Sequence, residues 1–404
     1  MTSTIANSHT GASDPASAAA LSKQASLAMQ AGRATEARQL LQRATALDPG
    51  KAPLWLHLAA TSRATADYAA AMQALEQALK IEPRYFAALL MKATLIEREG
   101  KQKEAAQAYG IALTQAPPDD QLDPTTRGVV QRGRALNRRY LDTLRTHLDH
   151  TVLANASPAT AAESLRLKQF FDTTLGLRPR AQQNPSDYFY PGLPPIEFWP
   201  REAFPWLAAL EAATPTIQSE LAATLGGQQG FTPYVEYKDG IPLDQWAALN
   251  HSLDWSAFHF FHYGQRFAEN CARCPQTMQA LSLLPQPVVE GRMPAAMFSV
   301  LKPHTRIPPH TGVANVRLVM HLPLIVPPGC GFRVGNVTRE WKVGEAFVFD
   351  DTIEHEAWND SDQTRVVLIA DVWHPHLSAR ERELIGQAMI EMDAFNGVTT
   401  ALPL

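Results

Sequence analysis

Pro309-His-Thr-Gly312, Arg317-Leu-Val-Met-His321, Phe349-Asp-Asp351, His355-Glu-Ala-Trp358 and Arg365 follow one another inside a single stretch, Ser299 to Arg365. Two histidines, His310 and His355, stand 45 positions apart among short apolar runs broken by Gly and Pro. Ten residues after the second, Arg365 opens the run Val366-Val-Leu-Ile-Ala370. Short runs rich in Val, Ile and Phe between turn residues predict antiparallel strands. Along 316–326 the side chains alternate: Arg317, Val319 and His321 share one face, and Leu318, Met320 and Leu322 the other. So apolar a strand with Arg and His on one face predicts the lining of a polar pocket. This layout suits a small metal centre beside an anchored carboxylic acid.

Further strands are expected at 255–263, 296–301, 331–334, 345–349 and 365–372, and a final helix over 379–395. Many short strands with turns between them predict an antiparallel barrel or jelly roll. Upstream, Trp199 to Leu225 holds one amphipathic helix, closed by Gly226-Gly227.

The N-terminal part obeys a different rule. Pro49, Pro83 and Pro117 are spaced by 34 residues, as are Ala25, Ala59 and Ala93, then Ala37, Ala71 and Ala105, then Ala44, Ala78 and Ala112. Gly32, Ala66 and Gly100 keep the same phase. Small residues at fixed phases let paired helices approach closely, and each proline stops the second helix of a pair. This pattern is similar to tetratricopeptide repeats over 17–118. Such an array binds a protein partner in its groove or serves only for packing. The expected division is a disordered tail at 1–16, repeats at 17–118, a helical linker at 119–185 and the strand-rich region at 186–404. The linker carries Arg127, Arg132, Arg134, Arg138, Arg139 and Arg145. They read as a solvated connecting helix, with phosphate binding as the alternative. A second helix of the linker is expected from Ser157-Pro158 to about Gly176.

Composition narrows the class. The chain has 404 residues, 45% hydrophobic and 19% charged, with a net charge of −4. Such a balance disfavours a broad nucleic-acid surface. Three cysteines make no disulfide framework; Cys271 and Cys274 read as free or buried thiols rather than half a zinc site or a redox pair. No run reaches the roughly 18 apolar residues of a membrane span. The start of the chain has neither a basic nor an apolar leader segment, so the expected location is cytoplasmic.

Iron(II) oxygenases commonly use two histidines and one carboxylate, the carboxylate two residues after the first histidine. Here that position is Gly312. Spacing alone leaves open that these are two unrelated barrel histidines. The longer pattern narrows the choice. Phe298-Ser299, Pro309-His-Thr-Gly312, Asn315-x-Arg317, Met320-His-Leu322, Phe349-Asp-Asp351, His355-Glu-x-Trp358 and Asp371-Val-Trp-His-Pro375 resemble the aspartyl/asparaginyl β-hydroxylase family. Trp255-Ser-x-Phe258, Phe198-Trp-Pro200 and Phe204-Pro-Trp206 extend the resemblance, which covers roughly 186–378.

The resemblance implies an α + β chain: a helical repeat array, then a double-stranded β-helix (jelly-roll) barrel with flanking helices. It implies an Fe(II)- and 2-oxoglutarate-dependent dioxygenase that uses O2 to hydroxylate an unactivated C–H. The favoured target is the β-carbon of an Asp or Asn residue, or a related peptide or small molecule. His310 and His355 match the iron ligands, and Gly312 matches the family's missing carboxylate. Asp351 matches an acidic residue that holds metal-bound water. Ser299 and Arg365 match the residues that bind the C5 carboxylate of 2-oxoglutarate. His321 matches a residue near its C1 carboxylate, and Trp255 an aromatic wall. Where vertebrate members carry an arginine two residues before the His321 position, this chain has Val319; Arg317 either compensates or leaves C1 less tightly held. The rival readings are a halogenase, since a glycine leaves room for halide, and a non-catalytic repeat scaffold.

Overall fold

A computed structural model describes residues 17–154, 160–227 and 229–397. The tail expected at 1–16 and the expected helix start at Ser157-Pro158 lie outside the described residues. The chain divides into two compact units, Met1–Leu177 and Arg178–Leu404.

The first unit is helical: α1 Ala18–Gln30, α2 Ala34–Leu47, α3 Ala52–Ala64, α4 Tyr68–Ile81, α5 Phe86–Arg98, α6 Gln102–Leu113, α7 Pro124–Leu148 and α8 Ala161–Thr174. The helices α1 to α6 form three helix hairpins. Each of the alanines spaced by 34 residues is buried at 0 or 1% exposure, so at these positions the helices are separated by no more than a methyl group. The turn inside each hairpin needs one left-handed residue, at Gly32 (φ 74°), Ala66 (φ 57°) and Gly100 (φ 76°). The repeat phase seen in the sequence is thus a backbone requirement. Four of the six arginines of α7 answer to carboxylates, Arg132 to Glu97, Arg134 to Asp119, Arg138 to Asp142, and Arg145 to Asp149 and Asp172, while Arg127 donates to the carbonyls of Asp119 and Leu122. Helix α8 begins with Thr160 and Glu163 in a reciprocal capping box.

The second unit contains α9 Leu207–Ala212, α10 Thr214–Gly227, β1 Thr232–Pro233, β2 Trp255–His262, β3 Gln265–Arg266, α11 Ala268–Arg273, α12 Pro275–Leu281 and β4 Ala296–Leu301. There follow β5 Thr305–His310, β6 Arg317–Ile325, β7 Cys330–Val334, β8 Val337–Arg339, β9 Phe347–Phe349, β10 His355–Asn359, β11 Arg365–Trp373 and α13 Ala379–Asn396. One antiparallel sheet has the order β1-β2-β4-β11-β6-β9, with β3 on β2; the other has the order β5-β10-β7-β8. From β4 onward, β4, β6, β9 and β11 enter the larger sheet and β5, β7, β8 and β10 the smaller.

Alternation along each strand sorts the core. Leu318, Met320 and Leu322 of β6, Phe258 and Phe260 of β2 and Leu368 of β11 pack with Leu210, Ile217 and Leu281 of the helices. The opposite face of the same sheet gives Trp255, Val319 and Val367, which pack with Ile307, Phe332, Val334 and Ala357 of the smaller sheet. Full burial of such side chains contributes about 1.5–3 kcal/mol each. The polar residues of β6, Arg317 and His321, are therefore forced between the sheets.

Two elements differ from the sequence reading. The single helix expected within 199–225, from Trp206 onwards, is two, broken at Ala213, because Pro215 has no N–H to return to Glu211 and starts a new helix instead. Strand β5 contains Pro308 and Pro309, which argue against a strand. It forms because it is an edge, bonded to β10 alone, with a register shift in the pairing where the prolines fall. Cys271 and Cys274 are buried free thiols, both pushed up by burial and so poorly suited to redox work. Among the described residues no helix is long and apolar enough to cross a membrane.

Candidate active site

The pairing of β5 with β10 sets His310 directly opposite His355. Their ring centroids are 4.1 Å apart. Each Nδ1 faces the carbonyl oxygen two residues earlier: Pro308 at 2.8 Å for His310 and Ile353 at 3.1 Å for His355. A carbonyl only accepts, so each Nδ1 carries the proton and each Nε2 keeps a lone pair. Burial disfavours the imidazolium and holds both pKa values below the ordinary range. Two neutral imidazoles with fixed tautomers are ready-made ligands for a divalent metal.

Two residues beyond His310, Gly312 donates its N–H to the Asp351 carbonyl at 2.7 Å. A Cβ at position 312 would lie 2.0 Å from Asp351 Oδ2. The carboxylate of Asp351 thus occupies the space where a side chain at 312 would stand. Its Oδ2 accepts from Arg317 Nη1 at 2.8 Å, while its Oδ1 is buried without a partner. Arg317 Nε lies 3.4 Å from Asp371 Oδ1, and Asp371 Oδ2 accepts the Ala295 N–H at 2.7 Å. Arg317 is therefore engaged by two protein carboxylates. One buried cation thus faces two buried carboxylates beside the histidine pair, and burial pushes the carboxyl of Asp371 up.

The other end of the site shows the opposite imbalance. Arg365 is 1% exposed, and its Nε and Nη1 have no partner. Its Cζ sits 4.4 Å from the Trp341 ring centroid. Burial pushes its pKa down to about 10, which still leaves it cationic at neutral pH. An unpaired buried guanidinium is costly, and an anion in front of it removes the cost. Trp255, Leu301 and Arg365 form one cross-strand row over β2, β4 and β11. Ser299 Oγ accepts from Trp255 Nε1 at 3.1 Å, and Trp255 stacks on Tyr234 with centroids 3.9 Å apart. Burial, then the charge of Arg365, keeps His321 neutral; its Nδ1 too lacks a partner.

His310, His355, Asp351, Arg317, His321, Arg365, Ser299 and Trp255 all line one cavity of about 140 Å³, ten times what a single water needs. One end presents imidazole lone pairs and a carboxylate, the other an unpaired cation. A divalent metal and a small carboxylic acid complement those ends, and the orphaned atoms of Asp351 and Arg365 mark where each would be felt. Among the described residues no three His, Cys, Asp or Glu side chains converge as a metal-binding group. A wider cleft of about 690 Å³, walled by Tyr234, Trp246, His259 and His262, shares Trp255 and His310 with this cavity. Sequence reading missed Asp371, Tyr234 and Trp246 as parts of the site. A carboxylate inside the apolar run of β11 was the available signal for Asp371; the two aromatics lie in irregular segments with no pattern.

Residues 211–375 match the family model described as Aspartyl/Asparaginyl beta-hydroxylase, and residues 8–52 and 62–120 match the one described as Tetratricopeptide repeat. The chain carries an aspartyl/asparaginyl β-hydroxylase domain behind tetratricopeptide repeats. This hydroxylase domain is similar to the human "Aspartyl/asparaginyl beta-hydroxylase", 38% identical over 144 residues, covering 35% of this chain and 19% of that protein. It is similar also to the Rhizobium tropici "Ornithine lipid ester-linked acyl 2-hydroxylase", 33% identical over 187 residues, covering 46% of this chain and 62% of that protein. The human "Aspartate beta-hydroxylase domain-containing protein 2" is 32% identical over 217 residues, covering 52% of this chain and 56% of that protein. The chain thus spans less than two thirds of the length of these relatives.

Proposed function

We propose that the hydroxylase domain is an Fe(II)- and 2-oxoglutarate-dependent dioxygenase. The observation that carries this reading is a cross-strand pair of buried histidines, with their Nδ1 atoms tied off, lining the same cavity as an unpaired buried guanidinium. His310 and His355 would hold the iron, and Asp351 Oδ1 would accept from a water completing its shell. Arg365 and Ser299 would take the C5 carboxylate of 2-oxoglutarate, His321 would stand at its C1 end, and Trp255 would wall the cavity. Bound Fe(II), with 2-oxoglutarate and O2, supplies the oxidising power for hydroxylation, 2-oxoglutarate leaving as succinate and CO2. The chain's own part is to orient both acids and to exclude water behind the apolar faces of the two sheets. The exchange of strands between those sheets supports a double-stranded β-helix.

The substrate chemistries in the relatives' names share one feature. The β-carbon of Asp or Asn bears the side-chain carboxyl or amide carbon, and C2 of an ester-linked acyl chain bears the ester carbonyl. The reading for this chain is hydroxylation of a methylene next to a carboxyl-level carbon, in a protein, peptide, amino acid or related small molecule, with the repeats available to a protein partner. Halogenation fits less well, because the Asp351 carboxylate takes up the room beside Gly312 and would repel halide.

The test is turnover of 2-oxoglutarate to succinate with Fe(II), ascorbate and O2, first without added substrate and then with a panel of Asp/Asn peptides and acyl esters. Wild type should turn over, and His310→Ala and His355→Ala should lose turnover. A wild-type protein that neither turns over nor binds 2-oxoglutarate in a metal-dependent way sinks the reading.

A further inference from the structure

We propose that Arg317 and Asp371 form a brace that fixes Asp351 in the space left open by Gly312, and that this brace, rather than contact with a cosubstrate carboxylate, is the work of Arg317. The inference rests on the metal reading above and concerns how the chain replaces a missing carboxylate ligand.

Four observations converge. The contact distance from position 312 shows that no side chain fits there while Asp351 holds its present place. Asp351 Oδ2 is fixed by Arg317 Nη1, which leaves Oδ1 buried with no protein partner. Arg317 is in turn held from behind by Asp371, and Asp371 is anchored through both its side chain and its N–H, bonded to the Ala295 N–H and carbonyl respectively. All three charged side chains are buried, at 7% exposure for Arg317, 6% for Asp351 and 3% for Asp371. The turn beneath Asp351 is secured separately. Asp350 accepts from Thr352 N–H and Oγ, and from Gln183 Nε2. The backbone of Asp351 is therefore set by Asp350, and its side-chain direction by Arg317. A guanidinium already shared by two carboxylates has little capacity left for a third. Strand register explains the reach: Asp371 of β11 lies opposite Val319 of β6, two residues along the same face from Arg317.

Arg317 and Asp371 are thus positioning residues. Their readout is metal retention, measured with Mn(II) as a redox-inert stand-in for Fe(II). Free Mn(II) is followed by electron paramagnetic resonance. Affinity for 2-oxoglutarate at saturating Mn(II) is followed by tryptophan fluorescence. Asp351→Ala should weaken Mn(II) binding about 10–100-fold, the usual effect of losing an outer-shell partner. Arg317→Lys and Asp371→Asn should each weaken it by about tenfold in the wild-type background and by less than about twofold when Asp351→Ala is already present. Affinity for 2-oxoglutarate should stay within about twofold in both. Unchanged Mn(II) affinity in the single variants, or losses that add fully to Asp351→Ala, overturns the brace. So does lost 2-oxoglutarate affinity with Mn(II) affinity kept, which would return Arg317 to a cosubstrate contact. Should Arg317→Lys fail to fold, Asp371→Asn decides alone, since it leaves the guanidinium in place. A wild-type protein that binds no Mn(II) through His310 overturns the metal reading itself, a result that the variants do not mimic.

Discussion

Arg365 is the largest of the fully buried side chains among the described residues, and it has donors with no acceptor. Such a residue lowers the stability of the ligand-free protein, and in the proposed function the carboxylate of 2-oxoglutarate offsets that cost. Arg365→Met keeps the length and removes the charge. It is expected to raise the stability of the ligand-free protein by about 1–4 kcal/mol, read by urea denaturation, while abolishing 2-oxoglutarate binding. A less stable variant would show that the guanidinium already has a partner in the native molecule. The sequence showed this arginine at the head of an apolar run, and that position was enough to single it out.

At the scale of elements, β2 carries the clearest pH liability. Its His259 and His262 stack with centroids 4.3 Å apart and planes 7° from parallel. Burial pushes their pKa values down to about 3 and about 4, with the neighbouring His262 adding to the effect on His259. Both lie below the ordinary 6.5, so the unfolded chain binds more protons as the pH falls from about 6.5 to about 4. Stability is complete above that window and is lost downward through it, by about 1.4 kcal/mol per pH unit for each histidine. Asp350, pushed up to about 6 by burial, works in the opposite direction between about pH 4 and 6. His259→Phe should therefore flatten the acid limb by about 1.4 kcal/mol per pH unit, read from tryptophan-monitored denaturation between pH 7 and 4.5. An unaltered slope would mean that His259 is protonated in the fold.

For the whole molecule, the two compact units give two reporters. Seven of the eight tryptophans lie in Arg178–Leu404, and the repeats lie wholly in the other unit. A ligand at 100 times its dissociation constant stabilises the unit that binds it by about 2.7 kcal/mol, a shift of roughly 5–10 °C for a domain of this size. Mn(II) with 2-oxoglutarate should raise the tryptophan-monitored melting temperature by that amount, and His310→Ala should cancel the rise. An equal rise in the variant would place the ligands elsewhere.

Local rules carried much of this into the sequence. The 34-residue period survives in the structure because each hairpin needs a small or left-handed residue at the same phase, and steric demands of that kind recur with the repeat. The alternation along 316–326 foretold that Arg317 and His321 share a face, since side-chain period in a strand is a property of the backbone alone. Tertiary structure decided what meets what. His310 and His355 become neighbours only because β5 pairs with β10, and β5 forms despite two prolines only because it lies at an edge. The space beside Gly312 belongs to Asp351, and Arg317 is held between two carboxylates, because the register of β6 against β11 and the turn before β10 bring them there. A residue's own sequence neighbourhood sets its direction and its tendency to be buried. The partner it finds depends on chain segments tens of residues away, whose register is fixed by the packing of both sheets at once.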